Sequence, residues 1–472
     1  MASTSWLGNA VAVKDKWVIT VANTWATNDT ATVTINGKDL VVTIGANVTT
    51  AQIATTIKEA WESNTFTDTT ASCIPQGGGT SIPEMSLLTA TVSGSTVILL
   101  ADTAGIPHTI SVSESTAGSG TLSISNTVVA TGPNFWDNVD NWSGGAVPSS
   151  TDDVTVDRPV SILYGLAQSA VTLTSLTFTE RFTSSAYVGL LKRNAVGYEE
   201  YRATELAISA TTINCRGSSG LIKLNVGTNQ TTCNVYSMGT SVETGRPALQ
   251  IRGTHASNVV NVYGGDVGIG ASDETATVAT LRQEAGTVTV GKNVTLTTVN
   301  KLSGTATIAC AATTLNNYDG TMTHTSGNVT SVMNGGTFTE SGSGTITTLR
   351  QTGGTSTVAN TATATTVDKL AGSMTIYGST TTVTNEGGGI VIDAGNVTTL
   401  TITNGTGQYN GTGTITTLTL SNSSQMSFDG NNQACTVTNC TIGGSSRISD
   451  RSDRVTFTNP IAWAGVLSVS PV

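Results

Sequence analysis

Apolar residues recur at a nearly fixed interval through the second half of the chain. A short motif appears nine times in succession: an apolar or small residue, two residues that are mostly Thr, and a second apolar residue, as in "ITTL" and "ATTV". The closing residues of successive motifs are 16 to 18 positions apart. They are Leu281, Val299, Leu315, Val332, Leu349, Val367, Val383, Leu400 and Leu418. A fixed period with apolar residues inside it is typical of a repeat architecture.

The content of each repeat predicts strands rather than helices. Runs such as "GTVTV", "GTATIA" and "GSMTIY" alternate with the period of a β-strand, and Thr and Val suit a pleated surface. The period is too short for helical repeats of about 33 residues or more, or for a propeller blade. A glycine series runs in phase, at Gly286, Gly304, Gly320, Gly336, Gly354, Gly372 and Gly388. These features predict a β-solenoid with Val, Leu and Ile inside each coil and Thr, Ser and Asn outside.

The repeat is expected to extend more loosely at both ends. Val262 upstream, and Val437 and Val455 downstream, would continue the closing positions. A stack of coils leaves a sticky edge at each end. We therefore expect the N-terminal region to cover one end and the tail "NPIAWAGVLSVSPV" to cover the other or to meet a partner chain.

The first part of the chain has a different pattern, that of a small α+β unit. Two alternating runs flank Asn36-Gly37 in "TATVTINGKDLVVTI", which predicts a hairpin. The segment 49–63 predicts a helix, because Thr49 and Gln52 can form a capping box and the apolar residues share one face. That face comprises Ile53, Ile57, Ala60 and Trp61.

Proline and tryptophan mark the domain boundaries. No Pro occurs between Pro247 and Pro460, as uninterrupted β-structure requires, and six of the seven Trp precede residue 143. The fold class predicted is mainly β, a small α+β domain followed by a β-solenoid. The expected regions are a small α+β docking domain at 1–130, a turn-rich connector at 131–160, an irregular β region or solenoid start at 161–260, the regular β-solenoid at 261–458, and a C-terminal cap or tail at 459–472.

Composition and charge narrow the classes of partner. Charged residues make up 11% of the chain and the net charge is −10, whereas an average soluble protein has about 25% charged residues. No basic cluster suggests a nucleic-acid partner, and no apolar run is long enough to span a membrane. The N-terminus does not have the pattern of a secretion signal. The six Cys form no C-x-x-C pair and are expected to be buried free thiols.

The acidic residues of the repeat do not predict a glycosidase. Such enzymes need two carboxylates across one bond, which a solenoid would supply by stacking acids on adjacent coils. Only two acids share an offset from the closing residue, and they lie six coils apart. The acids considered are Glu284, Asp319, Glu340, Asp368 and Glu386, of which Glu284 and Glu386 share the offset.

The histidines also predict no catalytic site. His108, His255 and His324 are far apart in sequence, and no Ser/His/Asp pattern or phosphate-binding loop occurs. His324 lies among Thr residues that are expected to be exposed, so we predict that it faces solvent. We predict no catalytic residue, no cofactor and no metal site, and we expect the chain not to be an enzyme.

Two further clusters have alternative interpretations. Asp152 and Asp153 could suggest a calcium site, but no loop of the required pattern surrounds them, which favours a turn-capping role. The stretch "YEEYR" at 198–202 could be a sugar or partner site, although a salt-bridged surface strand is the simpler interpretation.

Several stretches resemble virion-associated proteins that are encoded in phages and prophages. They include the start "TSWLGNAVAVKDKWVITVANTW" and the later "GPNFWDNVDNWSGGAVPSSTDDVTVD" and "GYEEYRATEL". The resemblance covers most of the chain. It implies a structural role on a bacteriophage particle and transfers no catalytic residue.

Three functions follow as expectations. The preferred one is a non-enzymatic capsid decoration, cement or head-fibre protein that docks on the shell, with the major capsid protein or other virion subunits as partners. It would be a homo-oligomer, with a trimer favoured, assembled in the host cytoplasm into the virion. The alternative is a receptor-binding tail fibre or tailspike that recognises host surface glycan, which exposed aromatic side chains beyond Tyr318 and Tyr377 would support. The third is a bacterial surface or matrix protein.

Overall fold

The chain forms a small N-terminal sheet domain and a long β-solenoid of about 16 turns that runs from residue 153 onward. The predicted fold class, mainly β with a solenoid, is therefore confirmed. The computed structural model of the 472-residue chain describes residues 2–62, 73–76, 82–183, 185–191, 200–218, 220–239, 241, 245–271, 274–393, 395–451 and 453–464.

The N-terminal domain packs one helix, Thr50–Glu62, against two antiparallel four-stranded sheets. The predicted capping box is present: the Thr49 N–H donates to Gln52 Oε1 (2.9 Å) and the Gln52 N–H donates to the Thr49 hydroxyl (3.3 Å). The predicted apolar face of the helix is buried. The strands of the domain are Lys16–Ala22, Thr30–Ile35, Lys38–Thr43, Ile74–Gln76, Leu88–Ser93, Thr96–Ala101, Ile110–Ser115 and Thr121–Val128, with a short 3-10 helix at Pro83–Leu87.

The predicted hairpin is also present. Asn36 and Gly37 have φ angles of 55° and 66°, so both central residues are left-handed, as the tightest hairpin turn requires. The turn joins Thr30–Ile35 to Lys38–Thr43 in antiparallel register.

Each regular coil of the solenoid consists of a long and a short strand, and each strand pairs in parallel with its counterpart one coil later. The long strands are Asp153–Val156, Ala167–Phe178, Leu206–Ser218, Thr232–Met238, Val259–Val262, Ala276–Gln283, Val294–Lys301, Ala312–Asn317, Val329–Asn334, Thr345–Gln351, Thr363–Lys369, Ser379–Asn385, Val397–Ile402, Thr414–Leu420, Cys435–Gly443 and Val455–Phe457. The short strands are Tyr187–Val188, Leu221–Asn225, Leu249–Arg252, Asp266–Ile269, Thr287–Val290, Thr305–Ile308, Thr321–His324, Thr337–Glu340, Thr355–Val358, Ser373–Ile376, Gly389–Ile392, Thr406–Tyr409, Gln425–Ser427 and Arg447–Ser449.

The repeated Thr-Thr pair marks a corner of the coil. Along Thr345–Gln351, Ile346 and Leu349 are buried whereas Thr347 and Thr348 between them are not. Thr347 has no register partner on the next coil, although Ile346 and Thr348 do. Two consecutive outward residues break the alternation of a flat strand, so the chain changes direction here and both apolar residues of the motif reach the interior.

The nine predicted closing residues form a continuous buried column, each 0% exposed. This confirms the inward face that the repeat predicts. The extension of the column was predicted incorrectly, because the residues aligned with Leu281 and Leu418 are Val260 and Cys440 rather than Val262 and Val437. The coils at both ends of the repeat vary in length, so counting 16 to 18 residues along the sequence does not locate the residue that stacks on the column.

The solenoid begins well before its regular repeat. Asp153–Val156, in the predicted connector, already pairs with Ala167–Phe178, because coils without the Thr-Thr motif still stack. The first coil is covered by Ser3–Ser5, which pairs with residues 153–155. The N-terminal region therefore covers one end, as expected, and three buried Trp rings extend the core there. These are Trp6, Trp136 and Trp142, with ring centroids 5.0 Å apart for Trp6–Trp142 and 4.7 Å for Trp136–Trp142.

The other end of the solenoid carries one added strand from the tail. Ala462–Ala464 pairs with residues 441–443 of the long strand Cys435–Gly443. The side chain of Trp463 is exposed there. Residues 465–472, the rest of the predicted C-terminal cap or tail, lie outside the described residues.

A column of glycines forms the turn between long and short strands. Six of the seven predicted glycines have a left-handed φ, for example 61° at Gly354, and Gly336 is the exception. A Cβ atom at Gly354 would lie 1.9 Å from the carbonyl oxygen of Gly336 on the preceding coil. The coils therefore stack backbone on backbone at this corner, which excludes a side chain.

Candidate functional site

A column of seven polar side chains runs through the interior of the solenoid, two residues after the closing position of each coil. All seven residues are completely buried, and each is the register partner of the next. The column comprises Gln283, Lys301, Asn317, Asn334, Gln351, Lys369 and Asn385. The expectation that Asn lies outside the coil is therefore wrong for Asn317, Asn334 and Asn385.

The polar column fastens each coil to the following one. The Gln351 amide donates to the carbonyl oxygens of Gly354 (3.0 Å) and Ser373 (2.9 Å). The Asn334 amide donates to the Thr355 carbonyl on the following coil (3.0 Å). Buried polar groups are tolerated when they are hydrogen-bonded, and here they satisfy carbonyl oxygens of the strand and glycine turn. The role of the column is structural.

Two lysines in this column are held without a buried carboxylate partner among the described residues. Lys301 Nζ donates to Asn317 Oδ1 (3.0 Å) and to the Asp319 carbonyl, and Lys369 Nζ donates to Asn385 Oδ1 (3.2 Å) and to the Gly387 carbonyl. Burial lowers the pKa of each lysine to about 8. A charged ammonium in this interior costs free energy because neutral oxygens replace its water.

We expect replacement of both lysines by glutamine to stabilise the solenoid below pH 8. Between about pH 8 and about pH 10.4 the unfolded lysine holds a proton that the folded lysine has lost, so stability rises with pH. The rise amounts to roughly 3 kcal/mol for each lysine. Denaturant unfolding of wild type and of the K301Q/K369Q variant across this pH range measures it, and the variant should lack that rise.

Lys292 provides the control because it is an exposed lysine, so K292Q makes the same chemical change at the surface. K292Q should leave the pH profile as in wild type. The three proteins share every other titratable group, so the difference between the profiles isolates the buried lysines. Parallel profiles for wild type and the double variant would contradict the account.

A buried histidine–glutamate pair lies on the opposite strand of the coil. His324 and Glu340 are register partners and both are 0% exposed. His324 Nε2 donates to the Cys310 carbonyl (2.9 Å), and Nδ1 shares a hydrogen bond with Glu340 Oε2 (2.5 Å). The raised pKa of His324 favours the charged imidazolium, with Nδ1 as the donor. The prediction that His324 faces solvent is wrong, because its position is inward and Glu340 supplies the missing partner.

Both side chains of the pair are fully shielded from solvent. Burial lowers the pKa of His324, but the hydrogen bond and the charge of Glu340 outweigh this and raise it above its ordinary value. The second carboxylate oxygen of Glu340 accepts from the Gly342 N–H (3.0 Å). Every hydrogen-bonding group of the pair faces the protein, so the arrangement is a buried ion pair rather than an acid–base dyad.

The other candidate acids are at the surface. Glu284 pairs with Arg282 (2.8 Å) and Asp368 with Arg350 (3.5 Å), and exposed pairs of this kind contribute at most about 1 kcal/mol. The remaining two, Asp319 and Glu386, are exposed on separate coils. Among the described residues, no group of three His, Cys, Asp or Glu side chains could hold a metal ion.

The three histidines do not come together. His108 is buried in the N-terminal domain, 3.5 Å from Asp15, and His255 accepts a hydrogen bond from the Ser257 N–H in a turn. Five of the six cysteines are buried free thiols, as predicted, and Cys73 is half-buried. None of these residues forms a site with another candidate.

The two ambiguous clusters have structural roles. Asp152 accepts from the N–H groups of Ala2 (3.1 Å) and Ser149 (2.9 Å), which confirms its turn-capping role. In the "YEEYR" stretch, Tyr198 and Glu199 lie outside the described residues. Its last three residues form a salt-bridged cluster rather than a strand: Glu200 binds Arg202 through both oxygens (2.7 and 2.9 Å), and the Arg202 guanidinium lies 5.3 Å from the Tyr201 ring.

An aromatic stack lies on the outside of the early coils. The rings of Tyr236 and Tyr263 are parallel to within 12° at 5.1 Å, and the Arg216 guanidinium covers Tyr236 at 4.5 Å. Glu284, Leu302 and Tyr318 occupy the position equivalent to Tyr263 on the next three coils. Each donates its backbone N–H to the carbonyl oxygen of the corresponding residue on the preceding coil. Tyr236, Tyr263, Leu302 and Tyr318 are all more than a third exposed. The sequence analysis missed this column because its spacing follows the irregular coils before residue 276.

A shallow groove of about 350 Å³ lies beside Tyr377. Ala359 and Ser341 hold the equivalent positions one and two coils earlier and have smaller side chains, so the Tyr377 ring forms one wall of the groove. Thr339, Glu340, Thr357 and Asn360 also line the groove. The groove and the tyrosine stack are two surface features of the solenoid that could hold a neutral polar ligand.

Comparison with known proteins does not identify the chain: no family model matches it, and no curated protein is significantly similar to it. No helix in the described part of the chain is long and apolar enough to span a membrane.

Proposed function

We propose that the chain is a non-enzymatic structural protein of a bacteriophage virion, a capsid decoration or head-fibre protein that docks on the shell. The observation that carries the proposal is the uninterrupted stack of about 16 coils with a filled interior. At about 4.8 Å per coil the stack is roughly 75 Å long. Such a rod suits a spacer, clamp or projection.

The polarity of the rod supports docking through its N-terminal end. Residues 3–5 cover the first coil, and the chain leaves for the small domain and returns from it at that same end. Arg202 also donates to the Pro107 carbonyl of the small domain (3.4 Å). The domain would bind the shell and the solenoid would extend over or away from it.

Removal of the protein from purified heads tests the clamping role. Heads stripped of the protein should lose thermal or osmotic resistance, and adding the purified chain back should restore it. Unchanged resistance after complete removal would contradict a cement function.

The tyrosine stack and the groove beside Tyr377 favour a second candidate, a tail fibre or tailspike that binds host surface glycan. Aromatic rings with nearby hydroxyl and amide groups suit sugar rings, which have apolar faces and polar edges. Retention of the wild-type chain on immobilised host polysaccharide, with weaker retention of the Y377A variant, would support this candidate. Equal retention of both proteins would mean that the groove beside Tyr377 does not bind the glycan. Release of reducing ends would contradict the non-enzymatic role.

A further inference from the structure

The outer face of the short strands has an array of threonines that the proposed function does not use. In six consecutive strands, from Thr287–Val290 to Ser373–Ile376, the first and third residues point outward and the second and fourth are buried. The third residue is Thr in every strand. The first residues are Thr287, Thr305, Thr321, Thr337, Thr355 and Ser373. We call these twelve positions the threonine face.

The twelve positions are in register. Each first residue pairs with the first residue of the next strand, and each third with the third, without a shift. Adjacent coils are about 4.8 Å apart, and residues two apart on a strand are about 6.6 Å apart. The face is therefore a rectangular array of identical groups, roughly 24 Å long over five coil intervals.

The threonine face is uncharged and its hydroxyls have no protein partner in the described structure. The outward position of the long strands in the same coils has Arg282, Arg350 and Asp368, so the solenoid does not exclude charge from its surface in general. The pattern also stops at both ends, at Asp266 before the array and at Gly389 after it. On the short strands the array is thus bounded at six coils.

A repeating, neutral array of this kind matches a repeating, neutral ligand. An anionic ligand would need a positive charge, which the threonine face lacks. The water molecules on a prism face of hexagonal ice do repeat along two perpendicular directions at spacings close to these. Thr is stiff at χ1, so its methyl and hydroxyl groups are already positioned and little entropy is lost on binding.

We propose that the threonine face binds ice. The methyl groups would pack against the lattice while the hydroxyls take the place of lattice water in its hydrogen bonds. This inference does not rest on the proposed role in a virion, and either can fail without the other.

The experiment uses the full chain in supercooled water. The wild type should separate the freezing temperature of a seed crystal from its melting temperature, and the crystal should grow with facets. T337K/T355K places two long charged side chains on adjacent strands of the face, so it should lose both effects. The matched control T348K/T366K puts the same residues on adjacent long strands of the same region, and it should keep both.

Circular dichroism must first establish that both variants retain the solenoid. A wild-type chain that neither shapes ice nor delays its growth overturns the proposal. Equal loss in both double variants also overturns it, because the activity would then not reside on the threonine face.

Discussion

Replacing Glu340 with valine is expected to lower the local stability of the solenoid by about 3–5 kcal/mol, because it leaves a buried histidine without its partner. His324 and Glu340 are 0% exposed, and the Glu340 carboxyl is the side-chain hydrogen-bond partner of the imidazole. Val358 and Ile376 occupy the same position on the next two coils, so valine fits the site. Stability in a stack is a sum of nearest-neighbour terms, so hydrogen exchange of strands 321–324 and 337–340 measures the loss where it occurs.

The double variant H324I/E340V separates the charge from the packing. In this variant apolar side chains follow Ile308 at the same position on the next two coils, and no ion pair remains. Replacing a buried ion pair by well-packed apolar residues is often neutral, or stabilising by about 1–4 kcal/mol. The single variant should therefore be less stable than the double. A double variant that loses as much as E340V would contradict this, since it would make the pair itself a net source of stability.

The ion pair also has a signature in pH. The pKa of His324 is raised in the folded chain, so its stabilising contribution is complete below the unfolded value of about 6.5 and is lost as pH rises through the folded value. The double variant H324I/E340V, which leaves neither group buried alone, should lack this decline. The two buried lysines should therefore make the stability rise with pH, whereas the His324–Glu340 pair should make it fall with pH.

The second large effect is expected for alanine at Gly354. Its φ of 61° is left-handed, and the added Cβ would lie 1.9 Å from the Gly336 carbonyl oxygen. Left-handed backbone costs about 1–2 kcal/mol for an ordinary residue, and forced overpacking adds about 1–3 kcal/mol. We expect G354A to shift the denaturant midpoint sharply and to increase exchange in the strands on either side of the turn.

The neighbouring Gly353 is a matched control for the same chemical change. Its φ is not left-handed, and a Cβ there would meet its nearest atom at 3.5 Å, an ordinary contact. G353A should be neutral or stabilise by up to about 1 kcal/mol, because alanine restricts the unfolded chain. Similar losses for both variants would mean that the glycine corner is not where the coils are closest.

The repeat could be predicted from sequence because each coil repeats one local rule. Leu349 and Val367 are 18 residues apart and stack directly, so a spacing in the sequence becomes a contact in space without any long-range knowledge. The helix and the Asn36-Gly37 turn were predictable for the same reason, since their signals lie within a few residues. The irregular coils before residue 261 lack that rule, so the sequence predicts no more than an irregular β region or solenoid start there.

The interior polar groups could not be predicted because polarity alone does not assign a side. From its polarity, Asn334 is expected at the surface. It is buried because its amide donates to the Thr355 carbonyl on the following coil, a contact that forms only when the coils stack. His324 looked exposed because its partner, Glu340, lies 16 residues away and meets it only after the coils stack. One signal was present: residues two positions after the closing apolar residue are Gln, Lys or Asn in seven consecutive coils, which a search by offset would have found.

Antibody labelling of purified particles, viewed by electron microscopy, would decide whether the chain decorates the phage head. Particles should be prepared from a host that carries the gene, and the antibody should be raised against the solenoid and coupled to gold. The account predicts gold in a regular lattice over the head. Gold confined to the tail tip would contradict head decoration and favour host recognition, and particles free of label would contradict the virion assignment altogether.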